Sequence, residues 1–210
     1  MAQVRTHLPI HVTDTERATA TLDARSAHAS GAWRSRSRRR AAAAGSAARA
    51  VTLRVARDHD VPGISALITR FAAEGVMLPR SFESIALTLD DFVVAADDHG
   101  RVLGCGALRE YSPSLAEIAS LAVAPEAHGA GIGSAIVREL EALARLRGVA
   151  ELFALTLSPA FFEGLGYVVV ERTRYPEKTR RDCASCARRH ACREICVRRS
   201  LADAAYDVAV

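Results

Sequence analysis

Apolar and polar positions begin to alternate at Val51, where Val51, Leu53 and Val55 stand between polar residues as a half-buried strand requires. Asp60 and Pro62 then mark a helix start, and Ile64, Leu67, Ile68 and Phe71 form one apolar stripe along it. Two short apolar runs, 92–95 and 102–108, flank Asp97-Asp98-His99-Gly100, so they predict an antiparallel hairpin closed by a glycine turn. A third strand is expected over Leu115–Val123. The period then changes: Ile132, Ala135, Ile136, Leu140, Leu143 and Leu146 recur at helical spacing with Gly148 just beyond, which predicts a helix over 132–146. A strand at 152–155, a short helix from Ser158-Pro159, a strand at 167–170 and a last strand at 194–201 complete the reading. This order predicts an α/β (α+β) architecture in which a mixed, mostly antiparallel sheet is flanked by helices.

At 210 residues the chain is long enough for one well-buried core. We place it at residues 51–201, with a cysteine-rich loop at 176–193 and a short tail at 202–210. Residues 1–50 are rich in Arg, Ala and Ser with few large apolar side chains, a composition that cannot offset its ordering entropy and predicts a disordered tail. No apolar run approaches the roughly 18 to 20 residues of a membrane helix, and no secretory signal core follows Met1, so a soluble, cytoplasmic protein with no membrane partner is expected. An organelle transit peptide is disfavoured by Asp14, Glu16 and Asp23.

Charge adds a division. Lys and Arg outnumber Asp and Glu by 9 to 3 in residues 1–50 and by 10 to 3 in 172–200, whereas 51–171 holds 9 against 16. Basic flanks attract phosphates, acidic substrates or nucleic acid. A nucleic-acid module is the weaker reading, because neither an aromatic-rich RNA motif nor a helix-turn-helix accompanies the basic residues.

Between the third strand and the long helix lies Pro125-Glu126-Ala127-His128-Gly129-Ala130-Gly131-Ile132-Gly133-Ser134. Glycines at a helix start let backbone N–H groups approach a phosphate, and the helix dipole favours the anion there. No Lys-Ser or Lys-Thr follows, as a Walker loop needs, and the preceding strand comes too late for a dinucleotide fingerprint. His128, Gly131 and Gly133, the lead-in Leu121-Ala122-Val123-Ala124-Pro125 and the later Phe161-Phe162-Glu163-Gly164-Leu165-Gly166-Tyr167 together resemble the GNAT acetyltransferases over about 150 residues. The resemblance implies acetyl-CoA as cosubstrate. It also implies that the backbone of Leu121, Ala122 and Val123 pairs with the pantetheine arm and that the amides of residues 129–134 hold the pyrophosphate. His128 stands where the family has Gln or Arg.

Acetyl transfer to an amine needs the amine neutral, and an α-ammonium has a pKa of about 8 or above, so a general base is expected. Glu117, in the third strand and placed by alternation on the face of Leu121, is the candidate, and the resemblance implies that it draws the proton through water. A surface carboxylate in a salt bridge is the competing reading. Many GNATs have a Tyr where this chain has Phe162, which cannot protonate the leaving thiolate. We expect solvent to do so, with Tyr167 in the core.

Leu78-Pro79-Arg80-Ser81, Gly104-Cys105-Gly106, Glu117-Ile118-Ala119-Ser120 and Pro176-Glu177-Lys178 with Asp182-Cys183 resemble more narrowly the short bacterial N-acetylglutamate synthases. That likeness implies an amino-acid substrate, glutamate, acetylated on its α-amine. Other GNAT acceptors, a protein N-terminus, a lysine or another small amine, share the same machinery. A dicarboxylate needs cations, and Arg grips a carboxylate with two parallel hydrogen bonds. Arg80, Lys178 and Arg181 are the candidates, Lys178 being the one lysine beside 27 arginines.

Cys183, Cys186, His190, Cys192 and Cys196 are closely spaced. In a reducing compartment such clustering points to metal rather than disulfides. If Cys196 belongs to the last strand and faces the core, Cys183, Cys186, His190 and Cys192 remain as ligands for a structural zinc, with free thiols as the alternative. Oligomeric state is left open, a homodimer included.

Overall fold

The computed structural model describes residues 50–202; the expected tails at 1–49 and 203–210 lie outside the described residues. Seven strands form one sheet in the order β1-β2-β3-β4-β5-β7-β6: β1 (Thr52–Val55), β2 (Phe92–Ala96), β3 (Val102–Ser112), β4 (Leu115–Val123), β5 (Glu151–Thr156), β6 (Val168–Val170) and β7 (Ile195–Ser200). Only β4 and β5 pair parallel; every other neighbouring pair is antiparallel. The mixed, mostly antiparallel sheet is thus the expected one.

Two helical layers cover it. On one face α1 (Val61–Ala73) and α2 (Phe82–Ala86) bury Ile64, Leu67, Ile68 and Ile85 against Phe92, Val94, Cys105, Ala107 and Ala122. On the other, α3 (Ile132–Leu146) and α4 (Pro159–Glu163) bury Ile132, Ile136, Leu140 and Phe162 against Val93, Leu108, Ile118, Leu152 and Val197. Successive residues of β2 alternate between the two cores, which is why its whole length is apolar and buried. The hairpin turn forms as expected: Gly100 takes φ 77°, and Asp97 Oδ1 accepts from the amides of His99 and Arg101 at 3.0 and 2.9 Å.

Several edges differ from the pattern read in the sequence. Strand β3 continues to Ser112 beyond the apolar run, because its polar end is held by pairing with the start of β4. The strand expected to include Tyr167 begins at Val168, since the Tyr167 amide bonds instead to Phe162 O. Leu146, assigned to the apolar stripe of α3, is exposed, and Ala144 takes the inward position in the last turn. The cysteine-rich segment starts as a helix, α5 (Pro176–Lys178), which widens into a further helical turn over Thr179–Cys183.

One correction concerns the face of Leu121. Ala107 pairs with Ala119 and Cys105 with Ala122, so β4 holds one extra residue, and Ser120 absorbs it at φ 53°. The bulge reverses the alternation. Glu117 lies beside its neighbour Phe153 on the α1 face, whereas Leu121 packs with Ile136 and Leu140 on the α3 face. The Cys105 thiol donates to Ser120 O at 3.6 Å and fixes the bulge from within the core.

Candidate active site

Strands β4 and β5 are paired only at Leu115, Ala116 and Glu117 with Glu151, Leu152 and Phe153. Beyond these three positions β4 stays bonded to β3, and β5 to β7. The sheet therefore parts, and the β5-facing backbone edge of residues 118–123 has no strand partner. A long cleft passes through the gap and is lined by both strands. It runs from the glycine turn on the α3 face to Arg80, Glu117 and Lys178 on the α1 face.

At the α3 end, Gly129 and Gly131 take φ of 78° and 74°, a left-handed backbone that strains any residue with a Cβ. Their turn delivers the chain into α3, where Ala135 N–H, bonded to Gly131 O at 3.0 Å, is the first amide of the helix start to be taken up. The amides of residues 129–134 have no acceptor among the described residues. Unpaired amides at a helix start suit an anion such as a pyrophosphate. His128 Nε2 donates to Val123 O at 2.8 Å, tying the turn to the end of β4.

At the other end Glu117 is 3% exposed. Its Oε2 accepts from Tyr111 Oη at 2.8 Å and from Lys178 Nζ at 2.9 Å, and Lys178 Nζ lies 2.8 Å from Oε1. Lys178 also meets Asp182 Oδ2 at 3.0 Å, and Arg109 meets Asp182 Oδ1 at 2.9 Å. Burial works against the Lys178 ammonium, but Glu117 and then Asp182 outweigh it and hold its pKa above the ordinary lysine value. Burial likewise opposes the Asp182 carboxylate, which Tyr111, Lys178 and Arg109 keep below the usual range. The surface salt bridge weighed for Glu117 is thus replaced by a buried one facing the cleft.

Arg80 enters from the connection between α1 and α2. It donates to Thr88 Oγ1 at 3.0 Å and lies over the Phe92 ring at 5.1 Å. It has no carboxylate partner among the described residues, and burial, then Arg109, lower its pKa. Arg181 donates to Glu110 O at 2.9 Å and stacks over Tyr111 at 4.9 Å. Of the three expected cations, Arg80 and Arg181 are free of carboxylates among the described residues, whereas Lys178 has both of its partners within the protein.

Phe162 is buried edge-on between Phe161 and Tyr167. Tyr167 is core, as expected: its hydroxyl donates to Glu141 at 3.1 Å, turned away from the cleft. Cys196 is buried in β7, also as expected. The four remaining zinc candidates do not come together, and among the described residues no three His, Cys, Asp or Glu side chains are grouped to hold a metal ion. The Cys183 thiol is raised in pKa by burial, Cys192 donates to Glu194 at 3.6 Å, and His190 accepts from Arg189 at 2.8 Å. Cys183 and Cys192 lie near each other and near Arg172, but the four side chains do not converge as tetrahedral zinc ligands would, so the expected zinc site is not supported.

The sequence reading assigned no role to Tyr111, Arg109 or Asp182. Asp182 carried a signal in its i, i+4 spacing from Lys178. Tyr111 carried none, because its place beside Glu117 depends on how far β3 extends.

Comparison with known proteins agrees with this geometry. Residues 89–169 match the acetyltransferase (GNAT) domain family. An N-acetyltransferase of Chlorobaculum tepidum, itself named as uncharacterized, is 44% identical over 149 residues, which is 71% of this chain and 96% of that protein. The amino-acid acetyltransferase of Mycobacterium tuberculosis is 37% identical over 58% of this chain and 70% of its own. The N-acetylglutamate synthase of Neisseria gonorrhoeae, solved with coenzyme A and N-acetyl-glutamate, superposes with a TM-score of 0.65 at 31% identity. That match covers 72% of this chain and 35% of the synthase, so the chain spans about a third of the length of that relative. Parted sheet, free amides at the glycine turn and near full-length likeness to an N-acetyltransferase lead to one assignment: the chain belongs to the GNAT family of acetyl-CoA-dependent N-acetyltransferases.

Proposed function

We propose that the chain transfers the acetyl group of acetyl-CoA to the α-amine of L-glutamate, giving N-acetylglutamate for arginine biosynthesis. The observation that carries this reading is Arg80, a half-buried cation at the acceptor end of the cleft with no carboxylate partner among the described residues. Such a group is stabilised by an anionic ligand. Arg181 supplies a second cation nearby, which suits a substrate with two carboxylates, and the amino-acid acetyltransferases among the relatives support the same acceptor.

In this reading the backbone edge of residues 121–123 pairs with the pantetheine arm, while the amides of residues 129–134 bind the pyrophosphate. The thioester then lies where β4 and β5 part, next to Glu117. Lys178 and Tyr111 hold the Glu117 carboxylate in place, and it takes a proton from the α-ammonium through a water molecule. The free amine attacks the thioester carbonyl, the tetrahedral intermediate gives its second N–H proton through the same water to Glu117 once that residue has shed the first, and the intermediate collapses as the thiolate leaves. With a thiol pKa of about 8.5 it is an acceptable leaving group that solvent can protonate.

The test is thiol release from acetyl-CoA with each amino acid offered separately. Glutamate alone should give rapid release, and Glu117→Gln should lower kcat by about 100-fold or more. Release with a different amine but not with glutamate would remove the acceptor assignment.

A further inference from the structure

The hydroxyl of Tyr111 stands between two carboxylates, 2.8 Å from Glu117 Oε2 and 2.6 Å from Asp182 Oδ2. A phenol has one proton and cannot donate to both at once. Lys178 Nζ approaches the same two oxygens, at 2.9 and 3.0 Å. The Tyr111 ring packs against Phe153, 5.5 Å between centroids, and under the Arg181 guanidinium at 4.9 Å. A buried carboxylate, a fixed hydroxyl and a second carboxylate therefore form a continuous path across elements that are 71 residues apart in the chain.

We propose that the proton Glu117 takes from the acceptor amine leaves through Tyr111 to Asp182, so that Tyr111 and Asp182 restore the base while the cleft is filled. The inference rests on Glu117 being the base. In the step, the O–H bond at Glu117 Oε2 breaks as one forms at Tyr111 Oη, while the original phenolic O–H breaks and its proton bonds to Asp182 Oδ2. No phenolate accumulates, which suits a Tyr111 whose pKa is raised by burial and by Glu117. Negative charge passes from Asp182 to Glu117, and both remain in contact with Lys178, so the compensating cation need not move.

Direction comes from the surroundings of the two acids. Arg109 contacts Asp182 and not Glu117, so it opposes a lasting protonation of Asp182 and makes that residue a transient carrier, from which the proton passes to water. The Asp182 side chain is 14% exposed against 4% for Glu117, giving it the better outlet to water. Both Tyr111 and Asp182 act through Glu117 and are positioning residues in that sense.

The experiment compares single-turnover acetyl transfer in wild type, Tyr111→Phe and Asp182→Asn, using whichever amine the wild type acetylates, with a proton inventory in mixtures of H2O and D2O. Tyr111→Phe keeps the ring packing, and Asp182→Asn keeps an oxygen that accepts from Tyr111 while losing the ability to take up the proton. Each should lower the single-turnover rate by about tenfold, leave the KM for acetyl-CoA unchanged and convert a curved inventory into a linear one. An Asp182→Asn enzyme at the wild-type rate, or a Tyr111→Phe enzyme whose inventory stays curved, overturns the relay and leaves a hydrogen bond that only orients the base. Failure with glutamate but turnover of another amine removes the acceptor assignment and leaves the relay to be tested on that amine. Full activity of Glu117→Gln removes the base and the relay together.

Discussion

Arg80 and Lys178 were put forward for the same task, yet their surroundings divide the work between them. Lys178 is engaged by Glu117 and Asp182, whereas Arg80 meets, among the described residues, only hydroxyls, a backbone carbonyl and the Phe92 ring. Replacing Arg80 by Ala should remove a charge-assisted contact to the acceptor worth about 1.5 to 3 kcal/mol, roughly a 10- to 100-fold rise in its KM. The KM for acetyl-CoA should stay unchanged, and steady-state kinetics with either substrate varied checks both. The glycine turn stood out in the sequence because clustered glycines before a helix start are a recognisable local setting, whereas Glu117 and Arg80 were singled out through the resemblance of their neighbourhoods, Arg being abundant throughout the chain. Tyr111 did not stand out, since only the pairing of Glu110 with Ala116 and of Ser112 with Leu115 brings it beside Glu117.

Among the elements, those with a long repeating pattern were the legible ones. Helix α3 matches its expected bounds from Ile132 to Leu146, because four turns of apolar spacing outweigh any local ambiguity. The two short helices α2 and α5 offer about one turn each, too little for a period to show. The Ser120 bulge was hidden for a different reason: such a site at positive φ is usually signalled by Gly, Asn or Asp, and here a buried cysteine holds a serine in it instead. Glycine in β3 has the opposite role, that of removing bulk. A Cβ at Gly106 would lie 2.9 Å from both Ile136 Cγ2 and Leu140 Cδ1, so α3 can pack at its present distance only without that atom. Gly106→Val should therefore overpack the α3 core by about 1 to 3 kcal/mol and lower Tm, which a thermal melt reads directly.

For the molecule as a whole, the succession of elements and a mixed, mostly antiparallel sheet flanked by helices were accessible from the chain, and the order of strands in the sheet and the place where it opens were not. Apolar pattern does not record which strands are neighbours, and β4 and β5 are mostly apolar both where they pair and where they separate, although they are less buried beyond the pairing. A ligand that bonds to the free edge of β4 binds the folded chain and has nothing comparable to bind in the unfolded one. Coenzyme A at 100 times its Kd should then stabilise the protein by about 2.7 kcal/mol, seen as a Tm that rises with ligand concentration. The same gap means that the architecture is finished only when its cosubstrate is present, as an arch is by its keystone. Amide exchange along residues 118–123 should slow in step with occupancy, and the time a molecule survives proteases in a cell should lengthen as acetyl-CoA becomes plentiful.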